Sequence, residues 1–226
     1  RVPYGNKSID SVRQYSFEIT NWLLKKNCKM IVVACNTVSS LVLDYLTSSI
    51  SIPIIGVIDP GVKQAISISK NNKIAVLGTH ATIRSNAYGK RLKKANPKIE
   101  VISQACPLFV PLVEEGLVEG EIPTQIAKYY FNNLVNCNVD TIILGCTHYP
   151  LLKSTINTIL KNKVMLIDSG EATAKTVFST LKKSNALSDT TDHEVNCCVT
   201  DDPGLFNEVA LRFVLKKINT TSHIDL

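Results

Sequence analysis

The sequence predicts an α/β fold: two similar domains with mainly parallel sheets flanked by helices, related by a pseudo-twofold axis. Three observations predict it. Short apolar runs of strand length alternate with stretches of helical period along the 226 residues, the rhythm of parallel sheets covered on both faces. Two cysteines close such runs in related settings, Cys35 in Val33-Ala34-Cys35-Asn36-Thr37 and Cys146 in Leu144-Gly145-Cys146-Thr147-His148-Tyr149-Pro150-Leu151-Leu152. Each is followed by a similar tail, Ile58-Asp59-Pro60-Gly61 after the first and Ile167-Asp168-Ser169-Gly170 after the second. Two halves offset by about 110 residues account for both echoes.

Taken in order, Ser8 is an N-cap for a helix from about Ile9 to Lys26. A strand at Met30 to Ala34, a helix through Val38 to Leu46, a strand at Ile54 to Ile58 and a helix from about Gly61 follow. The second half opens with a strand at Lys73 to Leu77, a helix from about Thr82 to Ala95 and a strand at Ile99 to Gln104. Cys106-Pro107 and Pro111 interrupt the pattern before helices at Leu112 to Glu115 and Thr124 to Asn133. A strand at Thr141 to Leu144, a helix at Leu151 to Leu160 and a strand at Val164 to Ile167 come next. The last stretch reads as a helix from Glu171, a strand around Glu194 to Val199 and a helix from about Leu205. With Asp59 and Asp168 marking the crossings, the first domain is 1–58 plus 168–226 and the second is 59–167.

A 45% hydrophobic composition supplies a packed core, and no apolar run reaches the length of a membrane span, so a soluble protein is expected. The chain opens on Arg1-Val2-Pro3-Tyr4-Gly5 with neither an initiator Met nor a signal core, and reads as cut from a longer parent. Seven cysteines, an odd count without a Cys-x-x-Cys pair, point to a reducing cytoplasm rather than a disulfide framework. The net charge of +6 is mostly lysine. Lys90-Arg91-Leu92-Lys93-Lys94 lies in a helical pattern without the interleaved aromatics that stack bases, which argues against nucleic acid, whereas basic charge suits a small acidic substrate.

An apolar run that stops at Cys-Asn-Thr or Cys-Thr-His delivers its last side chain to a sheet edge where a helix begins, the place where open α/β sheets bind ligands. A lone thiol there is as readily an ordinary buried cysteine. Two thiols from quasi-equivalent halves can instead face each other across one substrate, taking a proton from one face of a carbon and returning one to the other. Asn36 and Thr37, like Thr147 and His148, offer donors that hold a carboxylate and lower the pKa of the adjacent thiol. His148 is either structural or a proton partner for Cys146. No metal site is expected, because Cys-x-His lacks a second ligand pair. Glu114 and Glu115 are either helix-face charges or site residues, and Thr79 and Thr82 either caps or ligand hydroxyls. Cys28, Cys106, Cys137, Cys197 and Cys198 have no comparable setting.

Arg1 to Gly5, Ala34-Cys35-Asn36-Thr37, Cys106 to Glu114 and Leu144 to Leu152 together resemble the motifs of glutamate racemases, in the family's order. The resemblance implies a cofactor-independent isomerase, interconverting L- and D-glutamate in the cytoplasm for peptidoglycan and cell-wall biogenesis. It also implies an active site in the cleft between two α/β domains. On that resemblance Cys35 and Cys146 exchange the Cα proton of the D- and L-isomer, with Glu114 and His148 assisting the second thiol. Tyr4, Gly5, Asn36, Thr37, Thr79, Thr82, Thr147 and His148 then contact glutamate, and a homodimer is among the assemblies allowed.

The family's N-terminal strand and its Asp-Ser-Gly-x-Gly-Gly loop do not precede Arg1, so the 226-residue piece by itself is expected to be inactive and poorly stable. Rival readings are a related racemase acting on aspartate, a non-catalytic amino-acid-binding fragment, and a cysteine hydrolase using Cys146 with His148. The last leaves Cys35 unexplained.

Overall fold

A computed structural model describes residues 1–226 except 133, 135, 191–193 and 214–217, with the backbone alone at 213. The chain packs as two compact units, one of Pro3–Val177 and one of Phe178–Leu226 with Arg1–Val2.

In the first unit a 3-10 turn at Tyr4–Asn6 leads into α1 (Ile9–Leu24), capped by the Ser8 hydroxyl, which accepts from Ser11 N at 3.2 Å. The helix buries Val12, Ser16 and Thr20, one side at four-residue spacing. Two parallel strands follow, β1 (Ile31–Val33) and β2 (Ile54–Gly56), connected through α2 (Asn36–Leu41) and α3 (Leu43–Ser49). The single helix expected over Val38 to Leu46 is therefore two. Val42 leaves helical geometry at φ −131°, and the bend turns both helices onto one cluster of Val12, Val33, Val38, Val42, Leu43 and Leu46.

After α4 (Ile58–Ile68), four parallel strands β3 (Lys73–Gly78), β4 (Glu100–Ala105), β5 (Thr141–Gly145) and β6 (Met165–Asp168) form a sheet in the order β4-β3-β5-β6. Ile74, Val76, Ile143 and Ile167 pack on one face with Ile58, Val62, Tyr88 and Leu92. The alternate residues Ala75, Leu77, Ile142 and Leu144 are also fully buried, so both faces are covered, as a parallel sheet requires. Between β3 and β4 the expected long helix divides into α5 (His80–Ser85) and α6 (Ala87–Ala95), because Asn86 adopts φ +53°, a left-handed setting that asparagine tolerates.

Between β4 and β5 run α7 (Phe109–Glu114) and α8 (Glu121–Phe131). Residue 133, the expected end of that second helix, lies outside the described residues. Phe109 meets Tyr130 and Tyr149 edge-on, each with ring centroids 5.2 Å apart. The segment expected as one helix over Leu151 to Leu160 begins as a 3-10 turn, Tyr149–Leu152, before α9 (Lys153–Ile159).

A helix, α10 (Ser169–Lys183), carries the chain onward from β6. In the second unit β7 (Asn196–Val199) pairs in parallel with β8 (Thr220–His223), the two connected through α11 (Pro203–Phe213). No apolar run announces β8: its Thr-Thr-Ser-His is polar, and the strand is defined by pairing, with Asn196 opposite Thr220. Among the described residues, no helix is long and apolar enough to cross a membrane.

Candidate active site

Sheet order locates the site. From β3 the chain crosses to β4 on one side and returns to β5 on the other, so β3 and β5 part at their carboxyl ends into the crevice where open α/β sheets take ligands. Thr79 follows β3 there, and Cys146 follows β5. Gly145 permits this approach, since a Cβ on it would lie 2.6 Å from the carbonyl oxygen of Leu77 on the neighbouring strand.

Cys35 sits just past β1 as the N-cap of α2, followed by Asn36 and Thr37, both almost wholly buried. Burial pushes the Cys35 thiol up; the backbone N–H groups of Val38 and Thr37 and the Thr37 hydroxyl pull it down without prevailing. Burial likewise drives Cys146 up to about 12, against the His148 N–H and the Thr147 hydroxyl, with Cys35 and Glu114 adding repulsion. The repulsion from Cys35 registers that the two thiols share one electrostatic environment. The sequence led us to expect thiols lowered by helix-start donors. Those donors are present, but desolvation of a thiolate outweighs them, and both thiols rest neutral.

Beside Cys146 runs a relay. Its Sγ lies 3.8 Å from His148 Nδ1, and His148 Nε2 lies 3.2 Å from Glu114 Oε1 at the end of α7. A carboxylate facing Nε2 holds the proton there and leaves Nδ1 as an acceptor toward the thiol. Thr147 Oγ1 is 3.4 Å from the same Nδ1.

Beside Cys35 the hydroxyls of Thr37, Thr79 and Thr82 form a triangle with sides of 3.0, 3.1 and 3.4 Å. Thr79 is a cap, accepting from Thr82 N at 3.3 Å, and also a member of this buried group of hydroxyls. Gly5 lies against it, for a Cβ there would come within 2.8 Å of Thr79 Cβ. Tyr4 packs instead on Tyr15, with ring centroids 6.2 Å apart.

Asp59 and Asp168, which marked the echo in the sequence, are structural anchors. Asp59 pairs with Arg91 Nε at 2.6 Å, and Asp168 takes Lys153 Nζ at 2.8 Å and the Gly170 N–H at 2.9 Å. Sequence reasoning missed Tyr88 and Ser169. Tyr88 donates to Asn36 Oδ1 at 2.6 Å, and Asn36 Nδ2 reaches Ser169 Oγ at 3.5 Å. Spacing gave no signal for Tyr88, and Ser169 stood in plain view beside Asp168 in the second echo. No group of three or more His, Cys, Asp or Glu side chains able to hold a metal ion occurs among the described residues.

A buried thiol beside a histidine and a carboxylate, and a half-buried thiol beside a hydroxyl triangle, give this α/β scaffold the groups of an acid-base site. The family described as Asp/Glu/Hydantoin racemase matches residues 1–177. The chain is 42% identical to the glutamate racemase of Geobacter metallireducens over its whole length and 84% of that relative. It superposes on the glutamate racemase isoform RacE1 of Bacillus anthracis with a TM-score of 0.96 at 38% identity, covering all of this chain and 85% of that one. The glutamate racemase of Francisella tularensis, solved in complex with D-glutamate, gives 0.93 at 36% identity over all of this chain and 84% of that one. The chain belongs to the Asp/Glu/Hydantoin racemase family and is an isomerase.

Proposed function

We propose that this protein interconverts L- and D-glutamate through Cys35 and Cys146 without a cofactor, in the cytoplasm, supplying D-glutamate for peptidoglycan. The observation that carries the reading is the pair of strand-end thiols, Cys146 buried and Cys35 half-buried, each followed by polar residues at a helix start, in a chain close to glutamate racemases over its whole length.

The proton balance is simple. One cysteine, as thiolate, takes the Cα proton from one face; the other, as thiol, gives its proton to the opposite face and is left as thiolate. Running in the L-to-D direction, Cys146 loses its proton to His148 Nδ1, with Glu114 stabilising the imidazolium, and then removes the Cα proton while Cys35 delivers its own. The D-to-L direction uses Cys35 as base, its thiolate held by the N–H groups of Thr37 and Val38. The ammonium of bound glutamate favours thiolate formation beside it, offsetting the cost of burial.

Charge that builds on the substrate carboxylate needs donors already in place. The Thr37, Thr79 and Thr82 hydroxyls, the Asn36 amide and Thr147 supply them in this reading, with Gly5 allowing close approach and Tyr4 next to it in the chain. The basic surplus of the chain draws in a substrate of net negative charge, such as glutamate with its two carboxylates and one ammonium. Of the expected division, the part that this reading keeps is a second domain over 59–167, whose support is the four-stranded sheet of β3 to β6 over residues 73–168.

The test uses the complete gene product with L-glutamate in D2O, following Cα deuteration by NMR and D-glutamate by a chiral assay. Both signals are expected, and both should vanish as racemization in Cys35→Ala and Cys146→Ala. Cα exchange with aspartate in place of glutamate would reassign the substrate, and binding without exchange of either would leave a non-catalytic binding protein.

A further inference from the structure

We infer that Tyr88 is a positioning residue for this reaction: its hydroxyl locks the Asn36 amide with the N–H edge toward the substrate, while its ring seats the backbone that carries Cys146. The inference rests on the reading of Asn36 as a glutamate contact.

Tyr88 projects from α6 and is 2% exposed. Its hydroxyl donates to Asn36 Oδ1 at 2.6 Å across 52 positions of sequence. Asn36 directly follows Cys35 and is equally buried. With Oδ1 committed to the phenol, the amide offers its N–H groups, and its contact to Ser169 Oγ at 3.5 Å is too long to hold them firmly. An amide held in this sense donates to an anionic carboxylate. Turned over, it would present an oxygen to that carboxylate.

The same side chain reaches the other thiol. A Cβ on Gly145, the residue before Cys146, would lie 3.2 Å from Tyr88 Cε2, and one on Gly61 would lie 3.6 Å from the phenol oxygen. One side chain thus touches the neighbours of both cysteines. Its ring is part of an otherwise apolar cluster that includes Ile58, Val62, Ala65, Leu92 and Ile143. Such a cluster accepts phenylalanine without the desolvation a hydroxyl brings. The hydroxyl is explained by its partners, Asn36 and the nearby Ser169, which lie at the edge of the site.

The experiment is a double-mutant cycle on the complete protein with Tyr88→Phe, Asn36→Ala and the pair, measuring kcat and KM for both enantiomers alongside thermal unfolding. Tyr88→Phe should raise KM about tenfold, the scale of one buried hydrogen bond, with kcat changed less. Because Tyr88 acts through Asn36, the double variant should be no worse than Asn36→Ala alone, whereas independent structural damage would multiply. Wild-type KM in Tyr88→Phe, or losses that multiply in the pair, overturns the inference. Should Tyr88→Phe not fold, Asn36→Asp carries the test, since it keeps the acceptor for Tyr88 but turns an oxygen to the substrate. Its KM should exceed that of Asn36→Ala, and an unchanged KM rejects the role. A wild-type protein that exchanges no glutamate Cα hydrogen refutes the functional reading itself, a result visible before any variant is made.

Discussion

The resting state of Cys146 gives the sharpest quantitative prediction. Its pKa rises from the ordinary 9.0 to about 12, chiefly through burial, which corresponds to about 4 kcal/mol in favour of the neutral thiol. Near pH 8 only about one molecule in ten thousand then carries the thiolate, against about one in ten for an ordinary thiol of that reference value. Alkylation by iodoacetamide, followed for each cysteine by mass spectrometry on the unliganded protein, reads this directly. The pH at which the Cys146 rate stops rising, rather than the rate itself, separates a raised pKa from poor access. It should lie well above 9. Stability supplies the second readout. The folded pKa is raised above the unfolded one, so the contribution of the neutral thiol is complete below pH 9 and is lost as pH climbs from 9 toward 12. Near pH 10.5 the loss amounts to about 2 kcal/mol. Wild type minus Cys146→Ser in denaturant titrations isolates that slope from other buried groups such as Tyr149, which burial also pushes up. An alkylation plateau below pH 9, or identical alkaline slopes for the two proteins, would refute the argument that desolvation outweighs the helix-start donors here.

Three further outcomes follow from particular contacts. Glu114→Gln, which weakens the hold on His148 Nε2 at 3.2 Å, should lower kcat/KM about tenfold or more, equally for both enantiomers because their equilibrium constant is one; steady-state kinetics in each direction checks it. Gly145→Ala forces a methyl within 2.6 Å of the Leu77 carbonyl oxygen and should cost about 2 kcal/mol or more, read as a lowered denaturation midpoint. Burial acts to raise the Asp140 carboxyl, but the Asn71 N–H, the Ser69 hydroxyl, the Lys70 N–H and the Thr141 hydroxyl together bring it below the ordinary carboxylate value. Stability from this group is present above the unfolded value of 3.8 and is lost as pH falls through the lower folded value. Asp140→Asn should reduce stability by about 1 to 2 kcal/mol at neutral pH and flatten the acid limb of a pH-stability curve.

Local chemistry was legible wherever one residue decides it. Ser8 capped α1 because its hydroxyl needs only the N–H of Ser11, three residues away. The strand ending at Gly145 was legible because a continuous apolar run is satisfied by burial on both faces, while the strand ending at Val33 reads from the same kind of run although Val32 is exposed on one face. Helix breaks were not: Val42 and Asn86 sit inside continuous helical patterns, the first break serving to turn both flanking helices onto one apolar cluster and the second lying at a left-handed asparagine. The hydroxyl triangle drew on Thr37, Thr79 and Thr82, all singled out in the sequence, but as separate candidates whose meeting no spacing announces.

By itself, then, the sequence determined the alternation of strands and helices, the two cysteines at strand ends and the motifs shared with glutamate racemases, because these depend on residue type and near neighbours. Tertiary structure alone decided three things: that Glu114 faces His148, that Tyr88 holds Asn36, and that both thiols rest neutral. The first two join residues 34 and 52 positions apart, a distance over which sequence pattern carries no geometry. The third depends on how much water the fold removes from each sulfur, a property of packing rather than of either cysteine's neighbours in the chain.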